Sequence, residues 1–325
     1  MSEQDRAIVK RDLNSIINRV NCYLDGSDLD KIQDVITRLG RGNTLPHWFD
    51  NLKVNGTLPN ADGKTVGSII EMLLCADLEI NSLRSSDLIP LKINPAKGVD
   101  IPGLDVGIKS PSENWCTSEP FTSAYGRLLG SDYDVICIIT NYQTAKKVTP
   151  LRLKIINHSY FKSTEIADKN LCLKAQKLRE VISDVGEANA KKGLRFLAHV
   201  IQSDWLGKSL ASLYSVINSE EKVCAEIKSI CADGQKKMSK GAQNISEEDV
   251  RLLNDLVEKK PIKEALINLS DTWVNENSPE LAVIPNSYYW NKFLNSPLDG
   301  KLGVSFALQW RYNFGVSFRE GQSGN

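Results

Sequence analysis

The sequence predicts an α/β protein, a mixed sheet flanked by helices near the middle of the chain with large helical additions before and after it. Three observations predict this. An amphipathic stripe of Val66, Ile69, Ile70, Leu73 and Leu74 precedes two strand-like runs, at 98–110 and 133–141. The first fifty residues carry helical spacing. Helical patterning returns beyond about residue 165 and continues for a hundred residues.

Taken in order, Ile8, Leu13, Ile16, Ile17 and Val20 recur at helical spacing, and Leu29, Ile32, Val35, Ile36 and Leu39 do so again before Gly40 and Gly42. The turn-forming run VNGTLPNADGK at 54–64 sets a boundary near residue 55. The stripe from Thr65 to Leu78 then forms a helix of about three to four turns. Residues 118–129 fit a helix between the two strands, with Ser118 as its cap and Glu119 and Pro120 in the first turn. No His or second base stands near Ser118 to activate it, so capping is its role. A further strand is expected at 151–156, and helices at 170–185, 193–216, 220–230 and 246–269. Strict alternation from Val304 to Phe314 closes the chain with a strand. The expected organisation is a helical segment at 1–55, a core at 56–165 and a mostly helical region at 166–325.

The 325 residues suffice for a full hydrophobic core, and 41% hydrophobic with 25% charged residues is ordinary globular composition. Seven scattered cysteines without a C-x-x-C pair, and three histidines, argue for reduced thiols and against a zinc site or a disulfide framework. The N-terminal run is charged where a signal peptide is apolar, and no window has the length of a membrane span, so a cytoplasmic protein is expected. A net charge of zero argues against histone-like or tail-driven DNA binding and leaves local basic patches. Lys146 with Lys147, Lys191 with Lys192, and Lys236, Lys237 and Lys240 are the candidate patches for phosphate contact, and each reads more simply as a solvated face; Lys146 and Lys147 are the pair carried forward as DNA-binding. Trp48 with Phe49, and Tyr288, Tyr289, Trp290 and Phe293, read as core.

Metal-assisted phosphodiester hydrolysis uses one or two carboxylates for Mg²⁺ and a cation beside the attacked phosphate. Asp100, followed nine residues later by Lys109, supplies an acid and a lysine within a turn and a strand. Positions 105, 107 and 109 share one strand face by alternation. On these residues the chain resembles the PD-(D/E)xK, restriction-endonuclease-like superfamily, and within it the MutH mismatch-repair nicking enzyme and related restriction enzymes. The run GKTVGSIIEMLLCADLE resembles the family's K-G-x-V-G-x-x-L-E helix, and DIPGLDVGIKSPSENWCTSEPF its D-x6-E-x-K strand. The resemblance covers about residues 60–165. It implies a restriction-endonuclease-like core, Asp100 as metal ligand, Lys109 as catalytic lysine, and Glu71 as a support to the metal site.

Where the family places a glutamate, this chain has Gly107. Glu113 or Glu119 can supply the missing carboxylate from the following segment. Asp105, about 6.6 Å along the strand from position 107, is a second source. An inactive chain is the third reading.

The resemblance implies a type II restriction endonuclease that cuts duplex DNA with Mg²⁺, working as a homodimer whose symmetry mirrors a palindromic site. A mismatch-repair nicking enzyme and a catalytically dead DNA-binding protein of the same fold are the alternatives. Restriction is favoured because the chain exceeds the compact repair enzyme and most of the excess follows the core. Gln309, Arg311 and Asn313, on the polar face of the last strand, are the residue types that read adenine and guanine in the major groove.

Overall fold

The computed structural model describes residues 3–40, 44–83, 100–101, 103–110, 123–200, 204–277, 279 and 283–300. In the first half, helices α1 (Glu3–Leu24), α2 (Gln33–Leu39), α3 (His47–Asn55) and α4 (Gly63–Asp77) precede strand β1 (Val106–Lys109). A short helix α5 (Gly126–Leu129), strand β2 (Asp134–Thr140), a short helix α6 (Tyr142–Ala145) and strand β3 (Ile155–Phe161) follow. The second half is helical: α7 (Lys169–Glu180), α8 (Ile182–Val185), α9 (Glu187–His199), α10 (Trp205–Leu213), α11 (Glu220–Ser239), α12 (Glu247–Asp255), α13 (Ile262–Asn277) and α14 (Ser287–Asn295). The protein is therefore mixed α/β and mostly helical, with one small mixed sheet among the described residues.

The chain divides into two compact units. The first joins the described residues up to Ser110 with Ser131–Ile166. Its sheet runs in the order β1-β2-β3. Strand β1 lies parallel to β2, from Val106 opposite Asp134 to Lys109 opposite Cys137, and β2 lies antiparallel to β3. The central strand, DVICIIT, is buried along nearly its whole length, which is why it reads as a continuous apolar run rather than an alternating one. Val106, Ile108, Ile136 and Ile138 join one hydrophobic cluster with Val9, Leu13 and Ile16 of α1 and Ile69, Ile70 and Leu73 of α4. The helices expected to form a segment ending near residue 55 thus share a core with the sheet.

Helix α4 begins where Asp62 accepts the Thr65 N–H at 2.7 Å, and its apolar stripe is buried. Asp77, fully buried at its end, ties α4 to α1. Arg19 donates to its two oxygens at 2.8 and 2.7 Å, and the Tyr23 hydroxyl and Asn81 amide donate at 2.9 Å each. Gly26 and Gly56 meet where α1 and α3 end, both at positive φ. A side chain on Gly26 would lie 2.8 Å from the Leu52 carbonyl, and one on Gly56 2.7 Å from that of Asp25, so only glycine fits either place.

The expected strand at 151–156 lies later, at Ile155–Phe161. Leu151 instead forms an isolated bridge with Leu58. The strand is hidden in the sequence because its half-buried run, NHSY, is polar. His158 accommodates Asn14 of α1 at 2.6 Å, and Tyr160 donates to Asp134 at 2.6 Å.

The second unit takes Ser123–Gly130 and the described residues from Ala167 onward. The helix expected at 170–185 is interrupted at Val181, and that expected at 193–216 is two helices, with Asp204 capping the second at the Gly207 N–H. The expected 220–230 helix continues to Ser239, and Pro261, which lacks a donor N–H, separates α12 from α13. Arg195 on α9 joins α13 through Asp271 at 2.9 Å and Asn275 at 2.6 Å. Trp290 and Phe293 are buried in this unit's core, whereas Tyr288 is exposed. Residues 118–122 of the expected central helix, and the expected strand at 304–314, lie outside the described residues.

Candidate functional site

The site forms on a hairpin. Ile101 and Val106 pair across a turn, with the Ile101 N–H donating to the Val106 carbonyl at 2.9 Å and the Leu104 N–H to that of Ile101 at 3.0 Å. Asp105 closes the turn at φ 52°, a left-handed conformation that Asp tolerates better than most residues. The hairpin returns Asp100 beside β1, where its Oδ2 accepts the Ile108 N–H at 2.5 Å and lies 3.8 Å from Lys109 Nζ. Both side chains are less than a tenth exposed. Burial pushes the Asp100 carboxyl up from its ordinary range, and the Lys109 charge and the Ile108 N–H draw it partly back.

Glu71 comes to this pair from α4, one position off the buried stripe. Burial first, and then the charge of Asp100, push its carboxyl up to about 7, against the opposing influence of Lys109. Two carboxyls and one ammonium thus share a sparsely hydrated place and compete for one another's charge. Cys75, one turn further along α4, is fully buried; burial first, and then the charges of Glu71, Asp100 and Glu79, push its thiol up, so it packs rather than attacks.

Of the residues expected from sequence, the structure brings Glu71, Asp100 and Lys109 together. Asp105 is placed differently. The alternation expected to carry it to the face of Lys109 is broken by its left-handed backbone, and its side chain is 64% exposed and 3.6 Å from Arg6. Glu113, Glu119, Gln309, Arg311 and Asn313 lie outside the described residues. Lys146 and Lys147 are exposed just after α6, with the Lys146 ammonium 5.2 Å from the Tyr142 ring centre. Lys191, Lys192 and Lys237 have acid neighbours in Glu187, Asp271 and Asp233.

Tyr133 was not singled out in the sequence. It is buried just before β2, and burial followed by the charge of Asp100 pushes its phenol up to about 12. An aromatic residue opening a buried strand was the available signal. Among the described residues, no group of three or more His, Cys, Asp or Glu side chains is placed to hold a metal. Two carboxylates are nonetheless a donor set that Mg²⁺ accepts, with waters and phosphate oxygens completing its octahedron.

The raised Glu71 carboxyl gives a prediction. A group that holds its proton more tightly when folded contributes stability below its ordinary range and loses it as pH rises through about 7. At pH 8, without divalent cation, Glu71→Gln is expected to raise unfolding free energy by about 2 kcal/mol, a gain that disappears near pH 4. Urea unfolding at the two pH values measures this; equal stability at pH 8 would count against a strained carboxylate here.

Residues 49–207, a stretch containing α4 and the hairpin, match a family model described as type II restriction enzyme NspV. That match supports a restriction endonuclease. No curated protein and no solved structure matches the chain. No helix among the described residues is long and apolar enough to cross a membrane.

Proposed function

We propose that this chain is a type II restriction endonuclease of the PD-(D/E)xK superfamily, related to the MutH-like enzymes, which hydrolyses phosphodiester bonds in double-stranded DNA at a short sequence with Mg²⁺. The observation that carries the reading is the convergence of Asp100 and Lys109 on one hairpin, with Glu71 beside them, inside the segment that matches the restriction-enzyme family. Its organisation is a catalytic core within residues 56–165, preceded by the helical segment at 1–55. The region at 166–325 serves DNA recognition and the contacts of a homodimer, in the cytoplasm where restriction acts.

Asp100 would hold the metal through the carboxylate oxygen that the Ile108 N–H leaves free, with Glu71 supporting the site. Glu119, Glu113 and Asp105 are the candidates for a further ligand in place of the side chain Gly107 lacks, and Asp105 must first leave Arg6. Bound Mg²⁺ supplies a more acidic water and neutralises charge developing on the phosphate. Lys109, held beside Asp100, orients a phosphate oxygen and the attacking water through its three donors. With no cation bound, burial and the charge of Asp100 hold the Glu71 carboxyl up at about 7, and its negative charge becomes available as pH rises or as a bound cation draws it down. Gln309, Arg311 and Asn313 are proposed to read bases, and Lys146 and Lys147 to contact phosphates.

Gly107 favours a second reading, a DNA-binding protein of this fold that has lost cleavage. Supercoiled plasmid incubated with Mg²⁺ or with EDTA separates the two. Mg²⁺-dependent conversion to open-circular and linear forms is the expected result. Intact plasmid retained by bound protein would establish the second reading.

A further inference from the structure

A groove of about 690 Å³ runs along the outer side of the first unit, between one face of α1 and the end of β3. Arg6, Lys10 and Arg11 of α1 and Lys162 after β3 line it. Arg6 and Lys10, four residues apart, share one face of α1 and stand about 6 Å apart along the helix. The acids lining this groove are Glu3, exposed at the start of α1, and Asp134, which is engaged. Asp134 receives the Tyr160 hydroxyl at 2.6 Å and the Ser163 N–H at 2.7 Å, with Arg6 at 3.7 Å. Lys10 and Lys162 are exposed, and among the described residues neither has an ion pair. The Lys10 ammonium lies 5.9 Å from the centre of the Tyr160 ring. A surface cleft in which Lys10 and Lys162 stand outside ion pairs, beside Arg6 held by Asp105 and Asp134 and Arg11 held by Asp12, suits a polyanion better than a small apolar ligand.

The groove is continuous with the hairpin. Arg6 reaches Asp105 in its turn at 3.6 Å and Asp134 at 3.7 Å. From Val106, whose partner is Asp134, to Lys109 the strand advances about 10 Å, close to the rise of three nucleotides on one DNA strand.

We infer that the α1–β3 groove is a backbone-binding track, in which Lys10 and Lys162 contact phosphates of duplex DNA flanking the bond presented to Asp100 and Lys109. This inference rests on the endonuclease reading. It adds a sequence-independent contact on the N-terminal helix, where neither the resemblance nor the family match placed DNA contacts. Such contacts position the duplex without reading it, so their loss weakens cognate and non-cognate DNA alike.

The test is Lys10→Ala with Lys162→Ala in the full chain, against a control carrying Lys31→Ala and Lys53→Ala, exposed lysines already paired with Asp28 and Asp30. Fluorescence anisotropy with a labelled mixed-sequence duplex, in EDTA over a series of salt concentrations, reads affinity. Both groove side chains are exposed, so thermal melting is expected to match the unsubstituted protein. The groove variant is expected to bind about tenfold or more weakly at about 0.1 M salt, and its log-affinity against log-salt slope to fall by about 1.8, the counterion release of two phosphates. The control should bind as the unsubstituted protein does. Unsubstituted affinity and slope in the groove variant, or an equal loss in the control, would overturn the track while leaving the endonuclease reading intact. Failure of the unsubstituted chain to bind duplex even at low salt would remove that reading and the track with it.

Discussion

Lys109→Met is expected to lower single-turnover cleavage in Mg²⁺ by about a thousandfold, the scale on which losing one preorganised donor at a reacting centre is felt. Methionine preserves most of the buried stem, so the hairpin retains its packing. What disappears is the ammonium 3.8 Å from Asp100, in a place where both side chains are nearly inaccessible to water. Without that charge, Asp100 keeps the Ile108 N–H as its remaining support, and burial pushes its carboxyl further up. The variant should therefore also need higher pH for residual activity. Duplex binding in EDTA should change by less than about threefold, because one cation is a small share of a phosphate-contacting surface. Cleavage within tenfold of the unsubstituted rate would mean that Lys109 only fills the strand end.

The largest expected effect on stability lies at the junction of α1 and α4. Arg19→Ala leaves the Asp77 carboxylate fully buried without its cation, which typically costs about 3–5 kcal/mol. Arg19 is itself about a third exposed, so Asp77→Asn should be milder: the arginine regains water, and the Asn carbonyl still accepts the Tyr23 hydroxyl. The double substitution should then cost clearly less than the sum of the two, because both remove the same pair. Urea unfolding of the four proteins measures the coupling, and additive losses would show that Arg19 and Asp77 act independently. Since α4 carries Glu71, Arg19→Ala should also shift the pH dependence of cleavage by loosening the helix against the hairpin.

The parts legible in the sequence were those where one physical requirement dominates. The α4 stripe was visible because burial of one helix face imposes its period, and β2 because a strand covered on both faces must be apolar throughout. The spacing of Asp100 and Lys109 singled out an acid and a lysine on one short run, and Glu71 joined them in the sequence only through the family resemblance. Illegible parts depend on tertiary partners or on single backbone choices. Asp105 looked like a strand residue until its left-handed backbone turned it to Arg6. The polar run of β3 gives no period because α1 satisfies it with Asn14 and Lys10. Tyr133 carries no motif; its proximity to Asp100 arises only when β1 and β2 pair in register.

The most direct test of the acid–lysine hairpin as a nuclease centre uses unmethylated phage DNA. The purified chain and its Asp100→Asn variant are incubated with that DNA in Mg²⁺, and the fragment ends are sequenced. Discrete fragments sharing one short sequence at their ends, produced by the unsubstituted chain and absent with the variant, are the predicted result. The same ends at the same rate from both proteins would contradict the assignment.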